Sequence, residues 1–266
     1  MIDSLNSIQH LILDMDGVLY RGNEPAPRLR EFFAFLRKRS IPFMLVTNNA
    51  TRTPEERSKQ LAVMGAEVLP SEILVSGRAA ALYLRRDYPA GTRVHVFGMA
   101  ALRQALEEEG FVLADDDVEV VVVSLDYEVT YEKIKRAARL LRGGARLIAT
   151  NLDPNIPSED GLLPGAGAMV AMLAAASGTR PTGVGKPEPI MYELAMARMG
   201  ASRETTAAVG DRVATDIVGG KRAGITTICV LTGASDRAEA EAGGADFIFD
   251  DIGHLLDAWR AANPIA

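Results

Sequence analysis

The first apolar segment of the chain ends in two carboxylates, Asp14 and Asp16, which are separated by one residue and followed directly by Gly17. Alternate residues of an extended chain point to the same side, so this spacing brings two negative charges together. Such crowding is costly unless a cation or a phosphate–metal complex neutralises it. The pattern favours a charged site, although an acidic turn after a strand would show the same residues.

Further polar residues follow apolar segments later in the chain. Thr47 and Asn48 end the second such segment, Lys186 lies in a glycine-rich stretch before a helix-like region, and Asp211 and Asp216 follow a late apolar run. The carboxyl ends of parallel strands meet at one edge of a sheet, where ligands bind. We therefore expect these side chains to lie near the first two aspartates.

The chemistry of this set is that of phosphoryl transfer. Carboxylates without a nearby histidine or cysteine are hard oxygen ligands, which suit Mg²⁺ better than Zn²⁺. A lysine and a hydroxyl beside such a metal can hold phosphate oxygens. One carboxylate can attack phosphorus to form an aspartyl-phosphate, and its neighbour can protonate the leaving oxygen and later activate water. Most catalysis at such a site is positioning and charge neutralisation.

Two glycine-rich alternatives fail on their spacing. Lys186 is followed by proline instead of serine or threonine, and Arg180 stands where a P-loop needs its first glycine. Gly165 and Gly167 lack the third glycine of a dinucleotide fingerprint, because that position is Val170. The sequence therefore predicts neither a P-loop nor a dinucleotide site.

The elements that must position these residues alternate between apolar, strand-like runs and helix-like stretches. Buried parallel strands read as continuous apolar runs, so the pattern predicts an α/β fold with a parallel sheet. The middle of the chain repeats a β-α-β-α-β-α order that is long enough to bury its own core. We therefore expect a split α/β domain, residues 1–77 and 181–266, with a second α/β module, residues 78–180, inserted between its halves.

Composition excludes several classes of protein. The chain has 266 residues, a formal net charge of −6 and one cysteine, Cys229, with three well-separated histidines. We expect no nucleic-acid polymer as a partner, no disulfide framework and no cysteine-based zinc site. The first seven residues lack the features of a signal peptide, and no apolar run is long enough to cross a bilayer. The expectation is a cytoplasmic protein without a membrane partner.

Four segments of the chain together resemble the motifs of the haloacid dehalogenase (HAD) superfamily. Their order and spacing match its phosphatases, and the large insertion resembles the type IIA cap of the NagD-like and 4-nitrophenylphosphatase-like branch. The implied architecture is a Rossmann-like parallel-sheet core with an inserted α/β cap. The four segments are Asp14-Met15-Asp16-Gly17-Val18, Val46-Thr47-Asn48, Gly185-Lys186-Pro187, and Gly210-Asp211-Arg212 with Thr215-Asp216.

The resemblance implies a division of roles among the acidic residues. Asp14 is the implied nucleophile and Asp16 the implied general acid and base. Mg²⁺ is expected to bind the carboxylates of Asp14 and Asp211 and the backbone carbonyl of Asp16. Asp216 is expected to position a lysine or a metal-bound water.

The resemblance also assigns the remaining polar residues. Thr47, Asn48 and Lys186 are expected to hold the phosphoryl group, and Arg212 is expected to reach substrate at the seam between core and cap. The loop Thr150–Asn155 is a candidate for substrate contact, with a simple Asx turn as the alternative.

The function that we expect is hydrolysis of a small phosphorylated metabolite, such as a nucleotide or a sugar phosphate, by a Mg²⁺-dependent phosphatase. 4-Nitrophenyl phosphate would be a substrate in vitro. A phosphomutase of the same superfamily and a non-catalytic metabolite-binding protein are the alternatives. The sequence is compatible with either a monomer or a homodimer.

Overall fold

Two units make up the chain in the computed structural model, which describes residues 5–158 and 161–262. The first unit comprises Met1–Thr47, Pro54–Leu74 and Lys186–Ala266, and the second comprises Asn48–Thr53 and Val75–Gly185. Residues 1–4, part of the segment in which we expect no signal peptide, lie outside the described residues. Within the described residues, no helix is both long and apolar enough to span a membrane.

The division of the chain differs from the expected boundaries by a few residues. Residues 75–77 and 181–185 belong to the second unit, because a helix begins at Ser76 and because Thr182–Gly183 pairs with a strand of that unit. The short segment Asn48–Thr53 also belongs to it.

The strands, numbered along the chain, are short, as is usual for parallel sheets of this size. They are β1 (His10–Leu13), β2 (Tyr20–Arg21), β3 (Glu24–Pro25), β4 (Phe43–Thr47), β5 (Ile73–Val75), β6 (Arg93–Phe97), β7 (Val112–Leu113), β8 (Val120–Val123), β9 (Arg146–Ala149), β10 (Asn155–Ser158), β11 (Gly161–Pro164), β12 (Thr182–Gly183), β13 (Thr206–Gly210), β14 (Thr226–Val230) and β15 (Phe247–Phe249).

The α-helices of the described residues alternate with these strands. They are α1 (Leu29–Lys38), α2 (Pro54–Val63), α3 (Ser76–Leu84), α4 (Ala100–Glu108), α5 (Tyr131–Arg142), α6 (Ala166–Ser177), α7 (Ile190–Met199), α8 (Val218–Ala223), α9 (Arg237–Ala242) and α10 (Ile252–Ala262). Short 3₁₀ turns occupy Pro70–Glu72 and Arg203–Thr205, and a π-helical turn occupies Val213–Ile217.

The sheet of the first unit has the strand order β15-β14-β13-β1-β4-β5. β1 is paired in parallel with β13 on one side and with β4 on the other, and β14 and β15 continue the parallel pairing beyond β13. The chain proceeds outward from β1 in both directions, which creates a topological switch point at its carboxyl end. The predicted α/β fold with a parallel sheet is confirmed.

Aromatic side chains form much of the core on the α1 side of the first unit. Phe33 packs edge to face against Phe43 of β4, with ring centroids 5.1 Å apart, and Phe35 lies 6.5 Å from Trp259 of α10. Such pairs add to the free energy of burial that the rings supply. This packing anchors β4, which ends at the predicted site residue Thr47 and pairs with β1.

The second unit contains a five-stranded sheet in the order β12-β9-β8-β6-β7. Its four pairs of neighbouring strands are all parallel, and the four valines of β8 are completely buried. Val121 and Val123 of this strand belong to one apolar cluster with Ala137 and Leu141 of α5 and Leu173 of α6. The predicted β-α-β-α-β-α module is therefore a layered α/β unit with its own core.

Some elements differ from the sequence-based expectation. Asn155, the last residue of the predicted loop Thr150–Asn155, begins the antiparallel hairpin β10–β11, whose mixed polar and proline sequence lacks strand-like alternation. Asp216, which the sequence places after a late apolar run, lies in the π-helical turn Val213–Ile217 that precedes α8. Helix α3 begins at Ser76, directly after β5, and its start carries no helix signal in the sequence analysis.

Candidate active site

Three of the predicted residues lie at the carboxyl ends of neighbouring strands in the first unit. Leu13, the last residue of β1, is in register with Val209 of β13 and with Leu45 of β4. Asp14 is the next residue after β1, and its backbone N–H donates a 2.9 Å hydrogen bond to the Val209 carbonyl. Because adjacent strands are roughly 4.8 Å apart, this register brings Asp14, Asp211 and the β4 residue Thr47 to one edge of the sheet.

Lys186 lies between two aspartates at this edge. Its Nζ atom is 2.6 Å from Asp14 Oδ1 and 2.7 Å from Asp216 Oδ1, and only 3% of the lysine side chain is exposed. The second carboxylate oxygen of Asp216 accepts hydrogen bonds from the Thr215 hydroxyl at 3.1 Å and from the Arg212 backbone N–H at 3.2 Å. Both oxygens of Asp216 are therefore occupied, and one of them fixes the ammonium of Lys186.

Burial and the neighbouring charges both shift the pKa values of Asp14 and Lys186. Burial raises the pKa of Asp14, Lys186 lowers it, and repulsion from Asp216 and Asp211 adds to the rise, so the pKa is well above its ordinary value. Burial would lower the pKa of Lys186, but the attraction of Asp14 and Asp216 prevails and raises it. Lys186 therefore stays a cation at neutral pH.

Asp211 is held against two glycines. A Cβ atom at Gly17 would lie 2.3 Å from Asp211 Oδ2, and one at Gly233 would lie 1.8 Å from the same atom. The oxygen accepts a 2.8 Å hydrogen bond from the Ala234 backbone N–H, and the Thr232 hydroxyl donates at 2.5 Å to the Gly17 carbonyl. Burial, followed by repulsion from Asp216, raises the pKa of Asp211.

The π-helical turn brings Asp216 back towards the end of β13. A Cβ atom at Gly210 would lie 2.1 Å from Asp216 Cβ, so the approach requires glycine at that position. The hydroxyl of Tyr192 donates towards the carbonyls of Thr215 and Asp216, at 3.3 Å from each. π-helical turns are frequent at functional sites, and this one aims the Asp216 carboxylate at Lys186.

The carboxylates of Asp14, Asp211 and Asp216 could together hold a metal ion. Each offers one oxygen, and these atoms all lie within 4.8 Å of one another. Three carboxylates here face the single ammonium of Lys186, so the cluster has an excess of negative charge that a divalent cation would neutralise. An oxygen-only donor set fits a hard divalent cation.

Asp16 differs from Asp14 in its surroundings. Its side chain is exposed, and its carboxylate accepts a 3.5 Å hydrogen bond from the hydroxyl of Tyr20. Tyr20 is buried, and its hydroxyl in turn accepts a 3.2 Å hydrogen bond from the buried Arg57. The two carboxylates of the opening motif thus lie in different environments, as unequal chemical roles require.

Asn48 belongs to the second unit, where several groups fix it. Its side-chain amide donates a 2.8 Å hydrogen bond to Asp153 Oδ2, and its carbonyl accepts from the side chains of Asn151 at 2.7 Å and Ser76 at 2.6 Å. The Asp153 backbone N–H donates at 3.1 Å to Asn151 Oδ1. The loop Thr150–Asn155 therefore contains an Asx turn, and its contact with substrate stays a prediction.

The sequence comparisons agree on one family. The haloacid dehalogenase-like hydrolase model matches residues 11–112, and a HAD hydrolase-like model matches residues 183–255. An acid sugar phosphatase of Staphylococcus saprophyticus is 40% identical over 231 residues, which is 86% of this chain and 89% of that protein. The chain belongs to the haloacid dehalogenase-like hydrolase family.

Solved structures place this HAD chain among the phosphatases of the type IIA branch. It matches a 4-nitrophenylphosphatase of Thermotoga maritima with a TM-score of 0.91 and 33% identity, over 96% of this chain and 98% of that one. It matches NagD of Escherichia coli with a TM-score of 0.86 and 32% identity, over 92% and 97% of the two chains. The predicted resemblance is confirmed, and the chain is a phosphatase.

A magnesium complex is also among the similar structures. A glycerol phosphate phosphatase of Mycobacterium tuberculosis, in complex with magnesium, has a TM-score of 0.88 and 31% identity, over 95% of this chain and 78% of that one.

Sequence reasoning missed several residues that build the site. Thr232 and Gly233 follow β14, so the strand-end rule that selected Asp14 would have found them as well. Tyr20 and Arg57 carried no such signal, because a tyrosine in an apolar run and an arginine on a polar helix both look ordinary.

Proposed function

We propose that this HAD phosphatase hydrolyses small phosphorylated sugars and related phosphate monoesters, with Mg²⁺ as its metal and a phosphoaspartate at Asp14. The observation that carries the proposal is the placement of Lys186 between Asp14 and Asp216, at 2.6 and 2.7 Å. A cation fixed beside a strand-end carboxylate can hold a phosphoryl group against the atom that attacks it.

In the first half of the proposed reaction, a carboxylate oxygen of Asp14 attacks phosphorus and the bond to the leaving oxygen breaks. Asp16 donates its proton to that oxygen, so an alcohol leaves and an aspartyl-phosphate remains. Lys186 holds the negative charge on the phosphoryl oxygens, with Thr47 and Asn48 as further phosphoryl contacts and Arg212 as a contact to the rest of the substrate.

In the second half, Asp16 takes a proton from a water molecule, whose oxygen attacks phosphorus. The bond to Asp14 breaks, inorganic phosphate leaves and both carboxylates return to their starting states. Asp216 keeps Lys186 in place throughout, because its two oxygens are tied to the lysine and to the start of the π-helical turn.

The metal would be held by the carboxylates of Asp14 and Asp211, with the backbone carbonyl of Asp16. When bound, Mg²⁺ supplies positive charge to the phosphoryl oxygens. Because Asp216 already accepts hydrogen bonds at both oxygens, we assign it to positioning Lys186 and not to binding the metal.

The names of the similar proteins support the proposed substrate class. The relative from S. saprophyticus is named an acid sugar phosphatase, and that from T. maritima a 4-nitrophenylphosphatase. We assign the first unit as the HAD core and the second as the cap. A cytoplasmic location, a monomeric or homodimeric state, and the absence of nucleic-acid and membrane partners stay predictions.

The test is release of free phosphate from a panel of phosphorylated metabolites, with 4-nitrophenyl phosphate as reference, in the presence and absence of Mg²⁺. We expect Mg²⁺-dependent release, with sugar phosphates among the best substrates. Transfer of phosphate back to the sugar without release would indicate a phosphomutase. No turnover of any ester would favour a non-catalytic metabolite-binding protein and overturn the proposal.

A further inference from the structure

Arg57 is a buried cation that the proposed reaction does not use. It lies on α2 of the first unit with 3% of its surface exposed, and among the described residues it forms no ion pair with a carboxylate. Its Nη1 atom donates to the Tyr20 hydroxyl at 3.2 Å and to Gln60 Oε1 at 3.0 Å. Burying a charge without a partner charge is costly, so its retention calls for an explanation.

The direction of the hydrogen bonds links Arg57 to Asp16. A guanidinium can only donate, so the oxygen of Tyr20 must accept from Arg57 and its own proton must point elsewhere. The carboxylate of Asp16 lies 3.5 Å from that hydroxyl and accepts from it. The hydrogen bonds therefore run in one direction, from Arg57 to Tyr20 and from Tyr20 to Asp16.

The backbone also fixes Tyr20 beside Asp16. The Gly17 N–H donates to the Tyr20 carbonyl at 2.8 Å, and Asp16 and Tyr20 form an isolated backbone bridge. The tyrosine ring is 2% exposed, so its hydroxyl cannot swing towards solvent. By contrast, the Asp16 side chain is exposed and needs an external contact to define its rotamer.

We propose that Tyr20 and Arg57 are positioning residues for Asp16, which hold its carboxylate in the orientation for proton transfer to the leaving oxygen. The inference rests on the proposed function, because it presumes that Asp16 is the general acid. We expect this 3.5 Å contact to shorten in the substrate complex, where catalytic hydrogen bonds tighten.

The test compares two esters of nearly equal shape, phenyl phosphate and 4-nitrophenyl phosphate. Phenolate is the stronger base and needs a proton as it leaves, whereas nitrophenolate needs it far less. For Tyr20→Phe we expect kcat/KM to fall about tenfold with phenyl phosphate and less than about twofold with 4-nitrophenyl phosphate, since general acids contribute roughly 10²–10⁴-fold in total. Arg57→Met removes the buried charge at similar volume. It should also lower the ratio of kcat/KM for phenyl phosphate to kcat/KM for 4-nitrophenyl phosphate.

Two controls separate positioning from general damage to the fold. Tyr88 accepts a 3.2 Å hydrogen bond from Arg146 within the second unit, so Tyr88→Phe removes a similar hydroxyl that has a different partner and should leave both rates unchanged. In an Asp16→Asn background, adding Tyr20→Phe should have no further effect on the ratio, because interacting residues are not additive.

The inference would be overturned if Tyr20→Phe left the ratio of the two kcat/KM values unchanged, with or without an equal loss for both esters. It would also be overturned if Tyr20→Phe still changed that ratio in the Asp16→Asn background. Failure of the proposed function looks different, since wild-type protein would then release no phosphate from either ester.

Discussion

Gly17 offers a sharp test of the acidic cluster, because adding one methyl group there acts on Asp211. Gly17 has φ +82°, and the added Cβ atom would lie 2.3 Å from Asp211 Oδ2, closer than atoms can approach. The Asp211 carboxylate is buried and cannot move away without losing the hydrogen bond from Ala234. Gly17→Ala is therefore expected to displace a proposed metal ligand.

Gly22 provides a matched control for the backbone part of the effect. It has φ +59°, and nothing lies within 4 Å of a Cβ atom built on it. A left-handed conformation costs an L-residue about 1–2 kcal/mol, so Gly17→Ala and Gly22→Ala should share that loss of stability. Only Gly17→Ala also carries the clash with the carboxylate.

The assay is Mg²⁺ affinity, measured by calorimetry and by the Mg²⁺ dependence of phosphatase activity, with thermal unfolding alongside. We expect Gly17→Ala to bind Mg²⁺ about 10- to 100-fold more weakly, the range seen when a metal ligand loses its support. Gly22→Ala should bind it like the wild type while losing a few degrees of Tm. Wild-type Mg²⁺ affinity in Gly17→Ala would refute the placement of the metal at Asp211.

Three further predictions concern the residues around this cluster. Asp14→Asn should abolish turnover, because it removes the proposed nucleophile. It should keep or raise Tm, because it removes one of the buried, mutually repelling carboxylates. Turnover at the wild-type rate in that variant would contradict the assignment of Asp14 as the nucleophile. Lys186→Met should lower the free energy of unfolding in urea by about 3–5 kcal/mol, because it leaves buried carboxylates without their cation. The exposed Lys221, 3.6 Å from Asp246, gives a control whose loss should cost about 1 kcal/mol or less. Burial raises the pKa of the Cys229 thiol to about 11, so native protein at pH 8 should not react with a thiol reagent, and one thiol should titrate after denaturation.

Much of the first unit follows from its sequence, because the signals are local. Continuous apolar runs located β1, β4, β13 and β14, and their order along the chain placed Asp14, Thr47 and Asp211 at carboxyl ends. Parallel pairing then determined which of these ends would be neighbours.

Other features depend on contacts that are distant in sequence. The close approach of Asp216 to Gly210 accompanies the π-helical turn, yet neither residue predicts that turn by itself. Asn48 was expected only as a phosphoryl contact, and its bond to Asp153 across 105 positions in sequence could not be foreseen. The burial of Arg57 likewise depends on where β2 brings Tyr20, and a two-residue strand leaves no periodic pattern.

The central claim is that Asp14 becomes phosphorylated during turnover, and chemical trapping tests it most directly. Protein quenched during turnover of 4-nitrophenyl phosphate with Mg²⁺ is treated with borohydride, which reduces an acyl phosphate to the alcohol, and is then mapped by mass spectrometry. We predict homoserine at position 14 and at no other aspartate, with none in protein quenched without substrate. An unmodified Asp14 under conditions of active turnover, or reduction at a different residue, would contradict the mechanism.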